Sequence, residues 1–233
     1  MLRSVLNYIS GMHIYCIVLS MMLSLTSFAQ NKNLSFRHIG KRDGLSHSNT
    51  VCMHEDSRGF MWFGTSDGLN KYDGYTFTVY RNNPKDPNSI AGNFIQGIIE
   101  DPKGSLWIAT SGGGVNRFNR DKENFTHYKN DPGNTNSISS DEVTTVMLDH
   151  EGLLWVGTDN NGVDIYDEKT NAFIHYTNDK RNPKSISSNA ITHIFEDHAH
   201  NVWVATRGGE SICLIARQKH LPGISIMKII RDH

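Results

Sequence analysis

The chain has 233 residues, a formal net charge of −1 and a hydrophobic fraction of 37%. A nearly neutral chain gives no electrostatic reason to expect binding to nucleic acid or to an anionic membrane surface. The content of 20 glycines and 6 prolines suits a loop-rich β protein and does not indicate intrinsic disorder.

The first 29 residues differ in composition from the remainder of the chain. A weakly basic start is followed by an apolar run from Ile14 to Leu25, and then by small residues at Ser27 and Ala29. This order is typical of a secretory signal peptide, and the apolar run is short for a membrane span. We expect cleavage near Ala29 and a mature chain in the periplasm; a retained membrane anchor is the alternative.

Four tryptophans recur at intervals of 45, 48 and 48 residues, each six residues after an aspartate and just before Gly-Thr or Ala-Thr. The pairs are Asp56 and Trp62, Asp101 and Trp107, Asp149 and Trp155, and Asp197 and Trp203. Repeats of this length indicate a stacked or ring-like array of small structural units. Such arrays mostly present binding surfaces, so binding is the expected type of function.

Each unit contains four short segments in which apolar and polar residues alternate, which indicates four antiparallel strands. The third segment of the first three units follows a turn glycine: Gly68, Gly114 and Gly162. Four strands in a unit of this length describe a β-propeller blade, and a solenoid of four-stranded units is the alternative. The predicted fold is therefore all-β, with consecutive four-stranded blades in an incomplete ring of about three and a half blades.

The residue types predict a structural role for the repeated pattern. The aspartate is suited to accept backbone hydrogen bonds in a tight turn, in which the following glycine takes positive φ. Tryptophan offers a large apolar surface for packing one blade on the next. The segment Leu34 to Ile39 also alternates, and we expect it to supply the fourth strand of the last blade.

The combined motif resembles the two-component regulator propeller repeat. The segment from Gly44 to Tyr75 resembles the first blade of periplasmic sensors in hybrid histidine kinase/response regulators, and the resemblance covers Leu34 to about Gly209. In that family, propellers precede a β-sandwich, a membrane span, a kinase, a receiver and a DNA-binding domain. The resemblance implies carbohydrate sensing that feeds a phosphorelay.

The resemblance also implies what the chain itself does. Its ligand would be a small oligosaccharide or a similar molecule, and the parent protein would be homodimeric and anchored in a membrane. No cofactor is expected. The kinase reaction would belong to a part of the parent that this chain lacks, so we expect the chain not to be an enzyme.

The fourth unit leaves the repeat pattern after Gly209. Permitted codons for residues 211–233, read one nucleotide earlier, give a string containing YLFD and FTRY, which restores the family's third and fourth strands. We therefore expect an out-of-frame tail in place of the third strand, in a chain truncated from a longer sensor. The predicted organisation is a signal peptide at 1–29, blades at 30–209 and an aberrant tail at 210–233.

Ligands of propellers usually contact the loops at one mouth of the central channel. The candidate ligand-binding residues are therefore those near the turns that follow the second strands: Ser66, Asp67, Asp159, Asn160 and Arg207. No catalytic residue is expected, because the acidic residues mostly occupy the repeated turn positions. A propeller glycosidase or lyase is the less favoured alternative.

Three histidines lie close together in the fourth unit, at His193, His198 and His200. A metal site needs ligands that converge in space, which a loop does not guarantee. A solvated turn is the preferred interpretation, and a bound metal is the alternative.

A rival to the sensor interpretation is a stand-alone secreted binding or scaffold protein. An array of three and a half blades leaves apolar blade faces and a strand edge exposed, which favours aggregation or oligomerisation. In the rival interpretation the protein oligomerises to complete its ring.

Overall fold

The computed structural model of the protein describes residues 35–182 and 184–208, and the backbone of residues 212–215. The expected signal peptide at 1–29 lies outside the described residues, as does the tail at 210–233 apart from that short backbone segment. Within the described part, no helix has the length and apolar character that crossing a bilayer would require.

Fifteen strands in the described part form four antiparallel sheets, and each sheet follows chain order. Blade 1 consists of β1 (Thr50–Glu55), β2 (Met61–Thr65), β3 (Gly68–Tyr72) and β4 (Phe77–Tyr80). Blade 2 consists of β5 (Phe94–Glu100), β6 (Leu106–Ser111), β7 (Gly114–Asn119) and β8 (Asn124–Tyr128). Blade 3 consists of β9 (Val143–Leu148), β10 (Leu154–Thr158), β11 (Val163–Asp167) and β12 (Ala172–Tyr176).

Blade 4 has three strands in the described residues: β13 (Ile191–Glu196), β14 (Val202–Thr206) and β15 (Ile212–Ile215). A short 3-10 helix, Lys41–Asp43, precedes blade 1. The predicted all-β fold of consecutive blades is therefore confirmed.

Glycine at the start of the third strand is required by a close approach of the backbone. Gly114 and Gly162 have φ of +67° and +85°, a region that side-chain-bearing residues rarely adopt. A Cβ atom at these positions would also clash with the backbone oxygens of Tyr128 and Tyr176 on the fourth strands. The glycine thus lets the turn after the second strand lie against the end of the fourth.

The repeated aspartate connects the turn between the first two strands to the tryptophan. In all four blades its Oδ2 accepts a hydrogen bond from the indole Nε1, over 2.7–3.0 Å. Its Oδ1 accepts the backbone N–H groups two and four residues later, over 2.9–3.0 Å. In blade 4, bonds from the Asn201 amide and the Trp203 indole lower the pKa of Asp197 to about 2.

Three apolar clusters hold neighbouring blades together, and each combines the tryptophan face of one blade with the opposite face of the next. At the interface of blades 3 and 4, Trp155 packs with Ile191, Ile194 and Val204. Trp62 and Trp155 are fully buried, and Trp107 is 3% exposed. The tryptophans therefore stabilise the array mainly by packing between blades.

Polar links cross the same interfaces beside the aspartate turns. Glu100 of blade 2 accepts bonds from the backbone N (2.6 Å) and Oγ (2.7 Å) of Ser57 in blade 1. Glu196 of blade 4 accepts the backbone N–H of His150 in blade 3 in the same way, over 2.8 Å. At the interface of blades 2 and 3 this link cannot form. Pro102, which has no N–H, stands where Ser57 and His150 stand, and Leu148 stands where the glutamates stand.

Within the described residues, the outer face of blade 1 and the tryptophan face of blade 4 are not covered by another blade. Met53 lies on the face of blade 1 that corresponds to the buried faces of the later blades, and it is 66% exposed. The equivalent residues Ile98, Val146 and Ile194 are between 2% and 7% exposed. Phe195, on the tryptophan face of blade 4, is 56% exposed. Each end therefore presents a blade face of the kind that is covered at the internal interfaces.

Two predictions about strands are wrong. Residues 35–39 lie in no strand, because alternation of side chains makes a strand only where a neighbouring edge supplies hydrogen bonds. In the fourth unit the expected absence of a third strand is also wrong, since Ile212–Ile215 pairs with β14 from Val202↔Ile215 to Ala205↔Ile212. A short run of apolar and β-branched residues can extend a sheet edge without matching the repeat.

Candidate ligand face

At one edge of each blade, the turn after the second strand meets the crossing that leads to the next blade. A crossing is the linker between the fourth strand of one blade and the first strand of the next. In blades 1 to 3, the glycine that ends this turn donates its backbone N–H to a carbonyl oxygen of the crossing that leads to the next blade. The bonds join Gly68 to Asn93, Gly114 to Asp141 and Gly162 to Asn189, over 2.7–2.9 Å. This edge is named the turn face. All five residues predicted to bind ligand lie on it.

Three of the five predicted residues come together at the boundary of blades 3 and 4. Arg207, which follows β14, contacts Asp159 Oδ1 in the turn after β10 through its Nη2. The other carboxylate oxygen of Asp159 accepts a bond of 2.9 Å from Asn160 Nδ2. The side chains of Arg207 and Asp159 are 64% and 39% exposed, so a ligand can reach them from solvent.

Two further residues extend this group toward blade 2. Ser111 Oγ donates to Glu142 Oε2 over 2.5 Å, and the backbone oxygen of Glu142 accepts the N–H of Asp159 over 3.0 Å. Both were missed at the sequence level. The available signal was a charged residue, Glu142, at a position that is Phe94 in the preceding unit and Ala190 in the following one. The turn-face cluster is defined as Ser111, Glu142, Asp159, Asn160 and Arg207.

Ser66 and Asp67 belong to the turn of blade 1 and have partners there. Ser66 Oγ accepts a bond of 2.7 Å from Asn49 Nδ2. Asp67 Oδ2 pairs with Arg81 Nη2 at 3.2 Å, with both side chains nearly half exposed. These contacts hold the blade 1 turn together, so the two residues are not part of the turn-face cluster.

The turn-face cluster combines donors and acceptors of hydrogen bonds on a solvent-accessible surface. It contains a hydroxyl, two carboxylates, an amide and a guanidinium, which together can both donate to and accept from the hydroxyl groups of a polar ligand. The planar guanidinium can form two parallel bonds to one ligand group. The arrangement therefore suits recognition of a polar molecule across three blades.

A pair formed by the buried Asp164 and the exposed His175 in blade 3 resembles a catalytic dyad, but both nitrogens of its histidine already have protein partners. Burial raises the pKa of Asp164, although His175 and Ser139 both bond to it. His175 Nδ1 lies 2.6 Å from Asp164 Oδ1, and its Nε2 lies 3.0 Å from the backbone oxygen of Thr135. Both ring nitrogens face oxygen atoms that can accept hydrogen bonds, so the imidazolium form of His175 can donate to both at once.

We expect the contribution of His175 to the free energy of unfolding to decrease as pH rises above 6.5, the ordinary histidine pKa. Burial opposes the charge on His175, but its bonds to Asp164 raise its pKa above the ordinary 6.5. A group with a raised folded pKa stabilises the protein fully below its unfolded pKa, and this stabilisation is lost as pH rises through the folded value. Urea unfolding at pH 6 and pH 8.5 measures the effect.

The control for this pH dependence is His127, which stands at the equivalent position of blade 2. Its Nε2 also meets a backbone oxygen, that of Ser89 at 2.7 Å, but the residue facing it from the third strand is Asn116. The decrease in the free energy of unfolding with rising pH should be smaller in His175→Gln than in His127→Gln. If the free energy of unfolding changed equally with pH in the unchanged protein and in His175→Gln, His175 would not be the cause of the pH dependence.

The opposite edge of the blades, beside the aspartate turns, holds a cleft of about 560 Å³ between blades 1 and 2. Lys103, Arg117 and Arg120 line it. These three are paired with carboxylates, at distances between 2.6 and 3.7 Å, and Arg58 also lines the cleft. An anionic ligand would have to displace these partners, so the turn face is the better candidate site.

The structure separates the three histidines of the fourth unit. His200 Nδ1 lies 3.4 Å from Glu196 Oε1, and its ring stacks on His150 of blade 3 with centroids 3.8 Å apart. His150 and Glu196 were not among the residues singled out from the sequence. His193 and His198 are not members of this group.

Comparison with known proteins agrees with the repeats. The family described as "Two component regulator propeller" matches four segments, residues 44–67, 89–112, 137–160 and 185–208. Each segment spans the first two strands of one blade. The match therefore falls on the part of the blade that contains the aspartate–tryptophan pair.

Solved and curated relatives are longer than this chain. Histidine kinase P4 of Formosa agariphila is 44% identical over 78 residues, which cover 34% of this chain and 6% of that protein. The extracellular domain of BT3049 from B. thetaiotaomicron, named as a hybrid two component system, is 26% identical with a TM-score of 0.70. That match covers 81% of this chain and 27% of the solved one.

A structure of virginiamycin B lyase from Staphylococcus aureus is 18% identical with a TM-score of 0.57, covering 79% of this chain and 57% of the other. At this identity the likeness shows the fold alone. The chain spans only a small part of its sensor relatives, but the likeness to BT3049 extends over most of its own length. The chain contains four two-component regulator propeller repeats, one in each of its four blades.

Proposed function

We propose that the chain is the extracytoplasmic, ligand-sensing propeller portion of a hybrid two-component system, and that its ligand is a carbohydrate. The turn-face cluster carries this proposal, because it places five polar side chains on the accessible edge of three consecutive blades. The likeness to the extracellular domain of BT3049 supports the sensor role and the extracytoplasmic location.

The chemistry of the cluster favours a neutral or weakly charged polyhydroxylated ligand. The carboxylates of Glu142 and Asp159 each have a protein donor, and Arg207 neutralises part of the negative charge. A strongly anionic ligand would meet two carboxylates, and a cationic ligand would meet the guanidinium. Vicinal hydroxyl groups can donate to the carboxylates and accept from Arg207 and Asn160 at the same time.

The proposal includes binding without turnover. Glycoside hydrolysis generally uses two carboxyl groups, one protonated as acid and one free to act as base or nucleophile. The carboxylates of the turn-face cluster are instead bonded to Ser111, Asn160 and Arg207. The dyad of Asp164 and His175 has no free ring nitrogen to move a proton to or from a substrate.

In the proposed mechanism the ligand changes how neighbouring blades are held together. The cluster draws Ser111 from blade 2, Glu142 and Asp159 from blade 3 and Arg207 from blade 4. A ligand that bonds to all three blades favours one relative arrangement of them. A coupling free energy of about 1–3 kcal/mol would bias a kinase in the same dimeric, membrane-anchored parent.

The test is a binding screen of the full chain against neutral and acidic oligosaccharides by thermal shift, followed by calorimetry. We expect one ligand class to bind, and we expect Arg207→Ala and Asp159→Ala each to weaken it at least tenfold. Arg181→Ala is the matched control, since Arg181 is 93% exposed and pairs with Asp179 in a crossing outside the cluster. The recovered sugar should have an unchanged mass.

Three outcomes would contradict parts of the proposal. Ligand binding that survives both cluster substitutions would place the site elsewhere, and absence of binding across the screen would contradict the carbohydrate ligand. Cleaved sugar would favour a hydrolase or lyase. Light scattering on the same samples tests the rival interpretation, which the exposure of Met53 and Phe195 favours: a defined, ring-completing oligomer would support a stand-alone scaffold protein.

A further inference from the structure

The boundary of blades 3 and 4 holds a second group of polar side chains, on the edge opposite the turn face. It consists of His150 in the aspartate turn of blade 3, Glu196 at the end of β13 and His200 in the aspartate turn of blade 4. One ligand-type atom from each residue lies within 4.8 Å of the other two. We propose that these three residues bind a zinc ion, or a similar first-row transition metal, which stabilises the interface of blades 3 and 4.

One distance in the group already fits a metal site, and one contact is too short to hold an ion between its two atoms. Nitrogen and oxygen ligands lie about 2.0–2.2 Å from zinc, so two ligands of a tetrahedral site are separated by about 3.4 Å. His200 Nδ1 and Glu196 Oε1 are 3.4 Å apart. His150 Nδ1 contacts the same carboxylate oxygen, so this ring, which is 34% exposed, has to turn away before an ion can fit between them.

The donor types select the class of metal. Two imidazoles and one carboxylate are ligands for zinc, copper or nickel, whereas calcium and magnesium prefer sites made of oxygen atoms alone. Three protein ligands leave at least one coordination position for water. The second oxygen of Glu196 accepts the backbone N–H of His150 over 2.8 Å, which would orient the carboxylate toward the ion.

Comparison of the interfaces indicates why a cation belongs here. At the interface of blades 1 and 2, the equivalent carboxylate of Glu100 accepts the backbone N–H of Ser57 and also pairs with Arg120 at 2.7 Å. At the interface of blades 3 and 4, the carboxylate of Glu196 faces two stacked imidazoles. A metal ion bound by all three groups would supply the positive charge that Arg120 supplies at the first interface.

The backbone at His200 is a second unusual feature of this group. Its φ is +63°, which is uncommon for a residue with a side chain. The equivalent residues of the other three turns are Gly59, Gly104 and Gly152, with φ between +81° and +82°. A histidine is thus held in a position that suits glycine, and its ring reaches the carboxylate of the neighbouring element.

The test is zinc binding to the full chain after treatment with a chelator, measured by calorimetry and by thermal shift. We expect binding with micromolar or tighter affinity, a raised melting temperature with zinc and no effect of magnesium. His200→Gly restores the residue of the other turns, so the variant should fold. It should weaken zinc binding at least tenfold and lose the thermal shift.

Glu196→Gln and His198→Ala complete the design. Glu196→Gln removes the anionic ligand and should also weaken binding, whereas His198→Ala removes a neighbouring histidine outside the group and should leave binding unchanged. The proposal is overturned if zinc binds only at millimolar concentration. It is also overturned if His200→Gly binds zinc as tightly as the unchanged protein, or if His198→Ala weakens binding equally.

Discussion

Replacement of Trp155 by alanine is expected to lower the free energy of unfolding by about 3–5 kcal/mol, the range for truncation of a buried tryptophan. Trp155 is fully buried, and its ring packs against Ile191, Ile194 and Val204 of the next blade. The substitution would open a cavity between two blades and remove the indole N–H that donates to Asp149 Oδ2 over 2.7 Å. Urea unfolding followed by circular dichroism measures the loss.

Trp203→Ala is the matched control because it changes the same residue of the repeat in a different environment. The indole of Trp203 bonds to Asp197 over 2.8 Å, as Trp155 bonds to Asp149, but the tryptophan face of blade 4 is open. We expect a loss of about 1 kcal/mol, which is close to the net value of one hydrogen bond. Equal losses in the two variants would show that the aspartate bond, and not packing between blades, stabilises the array.

This comparison shows what the repeat pattern does and does not determine. The spacing of 45 to 48 residues predicted the blades, their four strands and the turn glycines, because these features depend on residues close together in the chain. The tryptophan pattern is the same in blades 3 and 4, yet within the described residues only the ring of Trp155 is covered by a following blade. Burial of a repeated residue depends on which neighbours exist, which the local pattern does not contain.

The turn-face cluster illustrates the second limit of sequence analysis. Asp159, Asn160 and Arg207 were predicted from their place after the second strands, and the structure brings Arg207 to Asp159 across 48 residues. Glu142 was missed because it precedes a first strand, and only the folded blade places it beside Ser111. Ser66 and Asp67 occupy the same kind of turn as Asp159, but their partners Asn49 and Arg81 lie within blade 1.

The polar links between blades could also have been predicted, because the linked residues are separated in the sequence by about one repeat. His150 and Glu196 are 46 residues apart, close to one repeat, and Ser57 and Glu100 are 43 apart. A donor after the aspartate of one unit is therefore matched by a glutamate before the aspartate of the next. Aligning each unit against its successor, and not only against itself, would have predicted both links.

The second large effect is expected at Arg120, where substitution by methionine should lower the free energy of unfolding by about 3–5 kcal/mol. Its guanidinium bonds to Asp56 Oδ2 and to Glu100 Oε1, both over 2.7 Å, and so joins blades 1 and 2. The side chains of Arg120, Asp56 and Glu100 are 9%, 0% and 12% exposed. Removal of the arginine leaves two carboxylates in a poorly solvated place without their cation, which costs far more than losing an exposed ion pair.

The control and the pH dependence separate this electrostatic cause from lost packing. Arg81→Met removes an arginine whose partner Asp67 is 45% exposed, and we expect a loss of about 0–1 kcal/mol. Burial opposes ionisation of Asp56, but its bonds from Trp62 and Arg120 lower its pKa, so these bonds stabilise the protein above the unfolded pKa and lose effect as pH falls. The difference in free energy of unfolding between Arg120→Met and the unchanged protein should therefore become smaller below pH 3.8, the ordinary pKa of aspartate. If the difference were the same at pH 7 and pH 3, the aliphatic part of the arginine, and not its charge, would be what stabilises the interface.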